Sequence, residues 1–183
     1  MLIKHYKRYL PHIEGAEYQM ITYRLSDSLP KKALLRLKQF SQEDQHEKIE
    51  ELMAQGFGSC ILAIPEVANE VISSWIFYDQ KRYDVLAYVV MPNHVHILIK
   101  VYKNETLATI VKSWKSFSAR KIQSILPKLN KPALEPIWQK DYWDRYIRDK
   151  DHFYYAMEYI HKNPTKAGLV KKPEDWTWSS AYK

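Results

Sequence analysis

Cysteine is nearly absent: Cys60 is the single thiol in 183 residues, so there is no partner for an intramolecular disulfide and no multi-cysteine zinc site. A reducing, cytoplasmic compartment is expected, with Cys60 a small buried hydrophobe. Long apolar runs are missing too. Nothing approaches the ~18 apolar residues of a membrane helix, and Lys4, Lys7 and Arg8 are followed by no apolar leader segment. Repeats, low-complexity tracts and internal linkers are also lacking, so residues 1–183 read as one domain, a size that buries about two-thirds of its unfolded surface. Positive charge and rings, by contrast, are plentiful. Lys and Arg number 28 against 21 Asp and Glu, a formal charge of +7, and 14% of residues are aromatic. Cations neutralise phosphates and rings stack on unpaired bases, so this composition favours a nucleic-acid ligand.

Patterning along the chain predicts the elements. Tyr18–Leu25 (YQMITYRL) alternates loosely and is rich in β-branched and aromatic residues, a strand entered past Gly15. Residues 26–64 read as a helical insertion whose charged stretch from Pro30 to Gln55, stopped by Gly56 and Gly58, covers the surface and forms no site. A helix from Pro65 aligns Ala68, Val71, Ile72, Trp75 and Ile76. Tyr83–Val90 and His94–Val101, joined by Met91-Pro92-Asn93, predict an antiparallel hairpin at the centre of the fold. Glu105–Leu126 has helical apolar spacing, with Lys112, Lys115, Ser116 and Arg120 on its polar faces. A short strand, Tyr142–Ile147, precedes a last helix from Asp151 to Lys162, ended by Pro164. The order predicts an α+β fold: a ferredoxin-like antiparallel sheet with helices packed on one face, plus a C-terminal helix.

His94-Val95-His96 is the most informative chemical feature. Alternate strand residues point to one face, so two imidazoles at this spacing can converge on one metal ion. Two histidines that merely fall on a half-buried strand are the plainer alternative. Pro92-Asn93 immediately before the pair, and Val95, Ile97, Ile99 and Val101 on the other face, place the histidines at the start of a strand committed to packing. A histidine-triad hydrolase would need a third imidazole where Leu98 stands. An amidohydrolase barrel would need ~250 residues.

Tyr159 and Asn163 stand four residues apart, so a phenol and an amide share one helix face beside the apolar stripe Phe153, Ala156, Met157 and Ile160. A core-edge aromatic and a helix-terminal asparagine would satisfy the same pattern. Read with the histidines, the pair supplies a hydroxyl nucleophile and a third, oxygen ligand. A phenol with an ordinary pKa of ~10 attacks a phosphodiester only beside a cation, and two imidazoles plus an amide oxygen suit Mg²⁺ or Mn²⁺. His161 points elsewhere on the helix.

The stretch Met91-Pro-Asn-His-Val-His-Ile-Leu-Ile, with Tyr159-Ile-His-Lys-Asn-Pro-Thr-Lys-Ala-Gly-Leu-Val downstream, resembles the REP-associated tyrosine transposases of the single-tyrosine HUH superfamily. The resemblance extends to Leu10-Pro-His, Gly56-Phe-Gly-Ser-Cys, Pro65-Glu-Val-Ala, the run from Trp138 to Arg148, and Trp176-Thr-Trp-Ser-Ser-Ala. It implies that His94 and His96 bind a divalent metal, that Tyr159 attacks single-stranded DNA to give a 5′-phosphotyrosine and a free 3′-OH, and that Asn163 is the third ligand. Related insertion-sequence transposases carry a longer glutamine at that last position. The family's Gly-Thr-Tyr signature at the hairpin foot appears here as Gly15-Ala-Glu-Tyr18, a departure that bears on hairpin specificity.

DNA binding is expected of Lys112, Lys115, Ser116 and Arg120 through phosphates, and of Trp138, Tyr142, Trp143 and Arg145 through bases. The resulting expectation is a metal-dependent single-strand endonuclease and strand transferase acting on REP-type hairpins, a monomer needing no organic cofactor. A domesticated hairpin-binding protein without cleavage is the alternative.

Overall fold

A computed structural model of the chain describes residues 3–5, 11–13, 17–37, 39–40 and 42–183. Lys7, Arg8, Leu10 and Gly15 lie outside them. A short antiparallel ribbon pairs β1 (Ile3–His5) with β2 (Pro11–Ile13). The main sheet has four antiparallel strands, β3 (Tyr18–Arg24), β4 (Tyr83–Val90), β5 (His94–Val101) and β6 (Trp143–Tyr146), in the spatial order β4-β5-β3-β6. Counted in chain order, the sheet reads 4-1-3-2 from its β6 edge, the ferredoxin-like arrangement. Both strands of the expected hairpin have the predicted bounds, but only β5 is central; β4 lies at the edge.

Alternation along β5 sorts its side chains. Val95, Ile97 and Ile99 join Ile21 and Tyr23 on one face, covered by α3 (Pro65–Ile76) and α4 (Leu107–Ile125). The α3 stripe is narrower than predicted. Val67, Ala68, Val71 and Trp75 are fully buried, whereas Ile76 is 47% exposed. Much of the aromatic content belongs to this core. Trp75 Nε1 donates to Tyr23 OH at 2.9 Å, Trp114 Nε1 to Tyr83 OH at 2.7 Å, and Tyr83 OH to the Trp75 carbonyl at 2.7 Å. Each buried ring thus has its polar atom satisfied.

The other face of the sheet carries His94 and His96. It packs on α5 (Lys150–Lys166) through Ala87, Val89, Leu98 and Ile160. The stretch predicted as one charged insertion forms α1 (Lys31–Leu37) and α2 (Gln42–Ala54), held by a small cluster of Leu29, Leu37, Ile49 and Met53 around Trp143. Pro164 does not end the last helix: α5 continues to Lys166. Proline removes a donor but not the acceptors, and the next turn closes through Ala167 N–H to the Asn163 carbonyl and Leu169 N–H to the Pro164 carbonyl, both at 3.0 Å. Asn163 therefore stays helical, one turn beyond Tyr159.

Candidate active site

β3 and β5 are paired so that Thr22 faces His96 and Arg24 faces His94. Both imidazoles are buried, 1% and 0% exposed, with their ring centroids 4.9 Å apart. Each is oriented through Nδ1. His94 Nδ1 is 2.7 Å from Asn93 Oδ1, and the Asn93 amide nitrogen donates to the Phe57 carbonyl at 3.0 Å, so the imidazole N–H meets an acceptor. His96 Nδ1 is 2.7 Å from Thr22 Oγ1. With Nδ1 so held, each ring turns its Nε2 edge toward α5 and α2, where Asn163 and Glu50 approach His96 Nε2; a carboxylate, amide or carbonyl partner on one nitrogen is common at metal-binding histidines.

The Gly56-Phe-Gly-Ser-Cys loop explains part of this order. Gly58 has φ of +88°, and a Cβ there would lie 2.5 Å from the Asp27 carbonyl oxygen. Glycine alone brings the loop this close, Ser59 N–H then donates to Asp27 Oδ2 at 2.7 Å, and Phe57 is placed to receive Asn93. Cys60 is not a buried hydrophobe: it is half-buried, left-handed at φ 49°, with its Sγ 3.1 Å from the Gly56 carbonyl.

The last helix delivers the predicted pair. Tyr159 lies edge-on to His96 at 5.4 Å between centroids, and Asn163 Nδ2 is 3.2 Å from His96 Nε2. Asn163 thus presents an amide nitrogen, not an oxygen ligand, to the imidazole. The carboxylate at the site comes from α2, within the charged stretch whose pattern predicts only a surface cover. Tyr159 OH donates to Glu50 Oε2 at 2.6 Å, and the same oxygen is 3.7 Å from His96 Nε2. Glu50, His94 and His96 have ligand atoms all within 4.8 Å of one another. Glu50 was missed because its pattern is that of any charged helix residue; its meeting with β5 is a product of how α2 folds over the sheet.

Electrostatics suit a cation. Burial pushes His94 down to about 3, opposed by Asn163, so the ring is neutral and its lone pair available at neutral pH. Burial raises Glu50 to about 7, against the lowering effects of the Tyr159 hydrogen bond and Lys166. Burial first, and the Glu50 charge second, raise the Tyr159 phenol well above its ordinary value. Two neutral nitrogens and a crowded carboxylate fit a divalent ion, which would relieve all three costs at once. Lys166 Nζ sits 5.0 Å from the Tyr159 ring centroid.

The expected DNA-binding residues gather elsewhere. Lys112, Lys115, Ser116, Trp138 and Tyr142 line a groove of about 390 Å³ between α4 and the segment before β6. Because α4 packs on the face opposite the histidines, this groove is across the sheet from Tyr159. Two of its residues have their polar atoms engaged within the fold. Lys115 Nζ donates to the carbonyls of Gln139, Lys140 and Asp141 at 2.6, 2.9 and 3.4 Å, so its charge is spent pinning that segment. Trp138 is buried, stacked edge-on against Tyr23 at 4.8 Å, with Nε1 donating to Ser118 Oγ, so its ring faces no base. Trp143 is likewise buried, packed under α1 and α2. Lys112, Ser116 and Arg120 are exposed along α4, and Arg145 is exposed on β6.

A family model described as Transposase IS200 like matches residues 63–163, more than half of the chain. The REP-associated tyrosine transposase of Escherichia coli is 28% identical over 103 residues, covering 56% of this chain and 57% of that protein. A Haemophilus influenzae protein that carries the same designation provisionally is 27% identical over 106 residues, covering 55% and 60%. The chain therefore matches less than two-thirds of the length of these relatives. Among solved structures, a REP-associated tyrosine transposase bound to a REP hairpin aligns over 97% of this chain and 82% of its own, with a TM-score of 0.59 at 18% identity, a likeness of fold.

Proposed function

This chain belongs to the IS200-like transposase family, and from that premise we propose that it cuts and rejoins single-stranded DNA through a covalent bond to Tyr159. The observation that carries the reading is the meeting of a half-buried tyrosine hydroxyl with two buried imidazoles and a carboxylate in one cluster. A divalent ion, Mg²⁺ or Mn²⁺, held by His94, His96 and Glu50 would polarise the scissile phosphate. Thr22 orients His96 through Nδ1; Asn163, whose amide nitrogen lies 3.2 Å from His96 Nε2, would give up that contact to the ion and, with its amide turned over, offer its carbonyl oxygen as a further ligand.

The residues divide the work. The Tyr159 oxygen attacks phosphorus, the bond from phosphorus to the 3′-oxygen breaks, and the DNA 5′ phosphate remains on the tyrosine. Glu50, which accepts the phenolic hydrogen bond at 2.6 Å, is placed to take the proton as the new bond forms. The departing 3′-oxygen takes up a proton from water, and attack by a 3′-OH, with its proton lost to water and the tyrosyl oxygen reprotonated from Glu50, reverses the step and rejoins the strand. The substrate proposed is a hairpin-forming repeat of REP type, since one similar protein is bound to such a hairpin. Lys112, Ser116, Arg120, Tyr142 and Arg145 are proposed contacts to DNA away from the cut bond.

The test is a gel assay with single-stranded hairpin repeats from the host genome and Mn²⁺ or EDTA. An SDS-resistant protein–DNA adduct is expected with Mn²⁺, lost in EDTA and in Tyr159→Phe. Tight hairpin binding with no adduct under any metal would replace this reading with the non-cleaving binding protein.

A further inference from the structure

The sheet face that carries Tyr159 has a second recess. A cavity of about 420 Å³ opens between the first turn of α5, the start of β3 and the irregularity in β4, lined by Tyr18, Leu86, Phe153 and Tyr154, with Arg148 and Lys150 exposed beside them. Three of its eight lining residues are aromatic and two more, Leu86 and Ile147, are aliphatic. Tyr18 and Phe153 meet edge to face at 5.7 Å, and Tyr154 is 57% exposed. Cations surround them: Lys150 Nζ is 5.9 Å from the Tyr154 centroid and Lys100 Nζ 5.7 Å from that of Tyr18. The carboxylate in the lining, Asp149, is committed as the helix cap, where Oδ1 accepts from His152 N–H at 2.8 Å.

A recess with flat apolar walls and a cationic rim suits a flat, π-faced group joined to an anion, which is the chemistry of a nucleotide. Its position fits as well. Phe153 and Tyr154 precede Tyr159 on one helix by about 8–9 Å along the axis. Tyr18 stands about 13 Å along β3 from Thr22, the residue that orients His96. A DNA strand lying over the Glu50, His94 and His96 cluster therefore reaches this recess within a few nucleotides.

We propose that the recess takes one unpaired base of the single-stranded DNA near the cut bond, stacking it on the face of Tyr154 with its edge against Phe153, whose ring stands at 83° to that of Tyr154, while Arg148 and Lys150 meet its phosphates. The proposal rests on the DNA-cleaving function above and adds to it the pocket that fixes the strand's register.

The experiment is an abasic scan. Hairpin oligonucleotides from the host genome carry a single-stranded flank in which one base at a time is removed, and binding is read by fluorescence anisotropy in EDTA for wild type and Tyr154→Ala. Tyr154 is exposed, so the variant is expected to melt with wild type. One abasic position should weaken wild-type binding about tenfold. Tyr154→Ala should bind the intact DNA weakly by a similar factor and be indifferent to that position. The proposal is overturned if wild type binds while every flank position acts alike in the two proteins. Failure of wild type to bind single-stranded DNA at all would overturn the DNA-cleaving reading and the pocket together.

Discussion

Glu50 Oε2 is 2.6 Å from the Tyr159 hydroxyl and 3.7 Å from His96 Nε2, so one carboxylate oxygen touches both halves of the proposed chemistry. Glu50→Gln keeps a hydrogen-bond acceptor for Tyr159 but loses the charge, and Mn²⁺ affinity measured by calorimetry should fall at least tenfold, as for loss of an anionic ligand. The same residue makes a pH prediction. Its folded pKa of about 7 lies above the ordinary 4.5. Its contribution to the stability of the metal-free protein is therefore full below pH 4.5 and lost as pH rises through about 7. His94 runs the other way, losing its contribution as pH falls from 6.5 toward about 3. Denaturation midpoints of wild type minus Glu50→Gln isolate the first effect; a difference that stays flat between pH 4.5 and 7 would contradict it. Gly58→Ala tests the loop behind His94. With a Cβ 2.5 Å from the Asp27 carbonyl oxygen and φ at +88°, it should cost about 1–3 kcal/mol and weaken metal binding through Phe57 and Asn93.

At the scale of elements, α4 illustrates how a polar helix face misleads. Lys115 looks like a phosphate contact by its position among Lys112, Ser116 and Arg120, yet its ammonium holds three backbone carbonyls of the segment leading to β6. Lys115→Ala should lower stability by about 1–2 kcal/mol in chemical denaturation. It should leave the salt dependence of DNA binding unchanged, because the lysine releases no counterion from DNA. Helix α5 carries the opposite lesson. Its start, its face and the spacing of Tyr159 and Asn163 are legible in local pattern, and its C-terminal end through Pro164 to Lys166 is not, since that turn depends on which acceptors the following residues find.

For the molecule as a whole, the outer edge of β4 is the exposed weakness of the sheet, and the C-terminal segment covers it. Val90 N–H donates to the Trp178 carbonyl at 2.8 Å, Ser180 N–H to the Tyr88 carbonyl at 3.0 Å, and Trp176 Nε1 to the Val90 carbonyl at 2.9 Å. His161 of α5 adds a contact to Ser180 at 2.8 Å. A chain ending before Trp176 should lose about 2 kcal/mol, a fall of roughly 4–8 °C in Tm. It should also self-associate, because unpaired strand edges recruit other chains. An unchanged Tm with monomeric behaviour would show that this segment is not an edge cover.

Local sequence by itself determined the four strands of the main sheet but not the β1–β2 ribbon, three of the helices, the two histidines on one strand face and the tyrosine one turn from an asparagine. These follow from periods of 2 and 3.6 residues, which each segment carries alone. Tertiary structure decided three things that no local period encodes: that α2 swings Glu50 onto the cluster, that Trp138 and Lys115 spend their polar atoms inside the fold, and that α4 and Tyr159 lie on opposite faces of the sheet. The physical reason is common to all three. A side chain's role depends on which partner reaches its polar atom, and residues far apart in sequence become partners only when the sheet order and the helix faces are set.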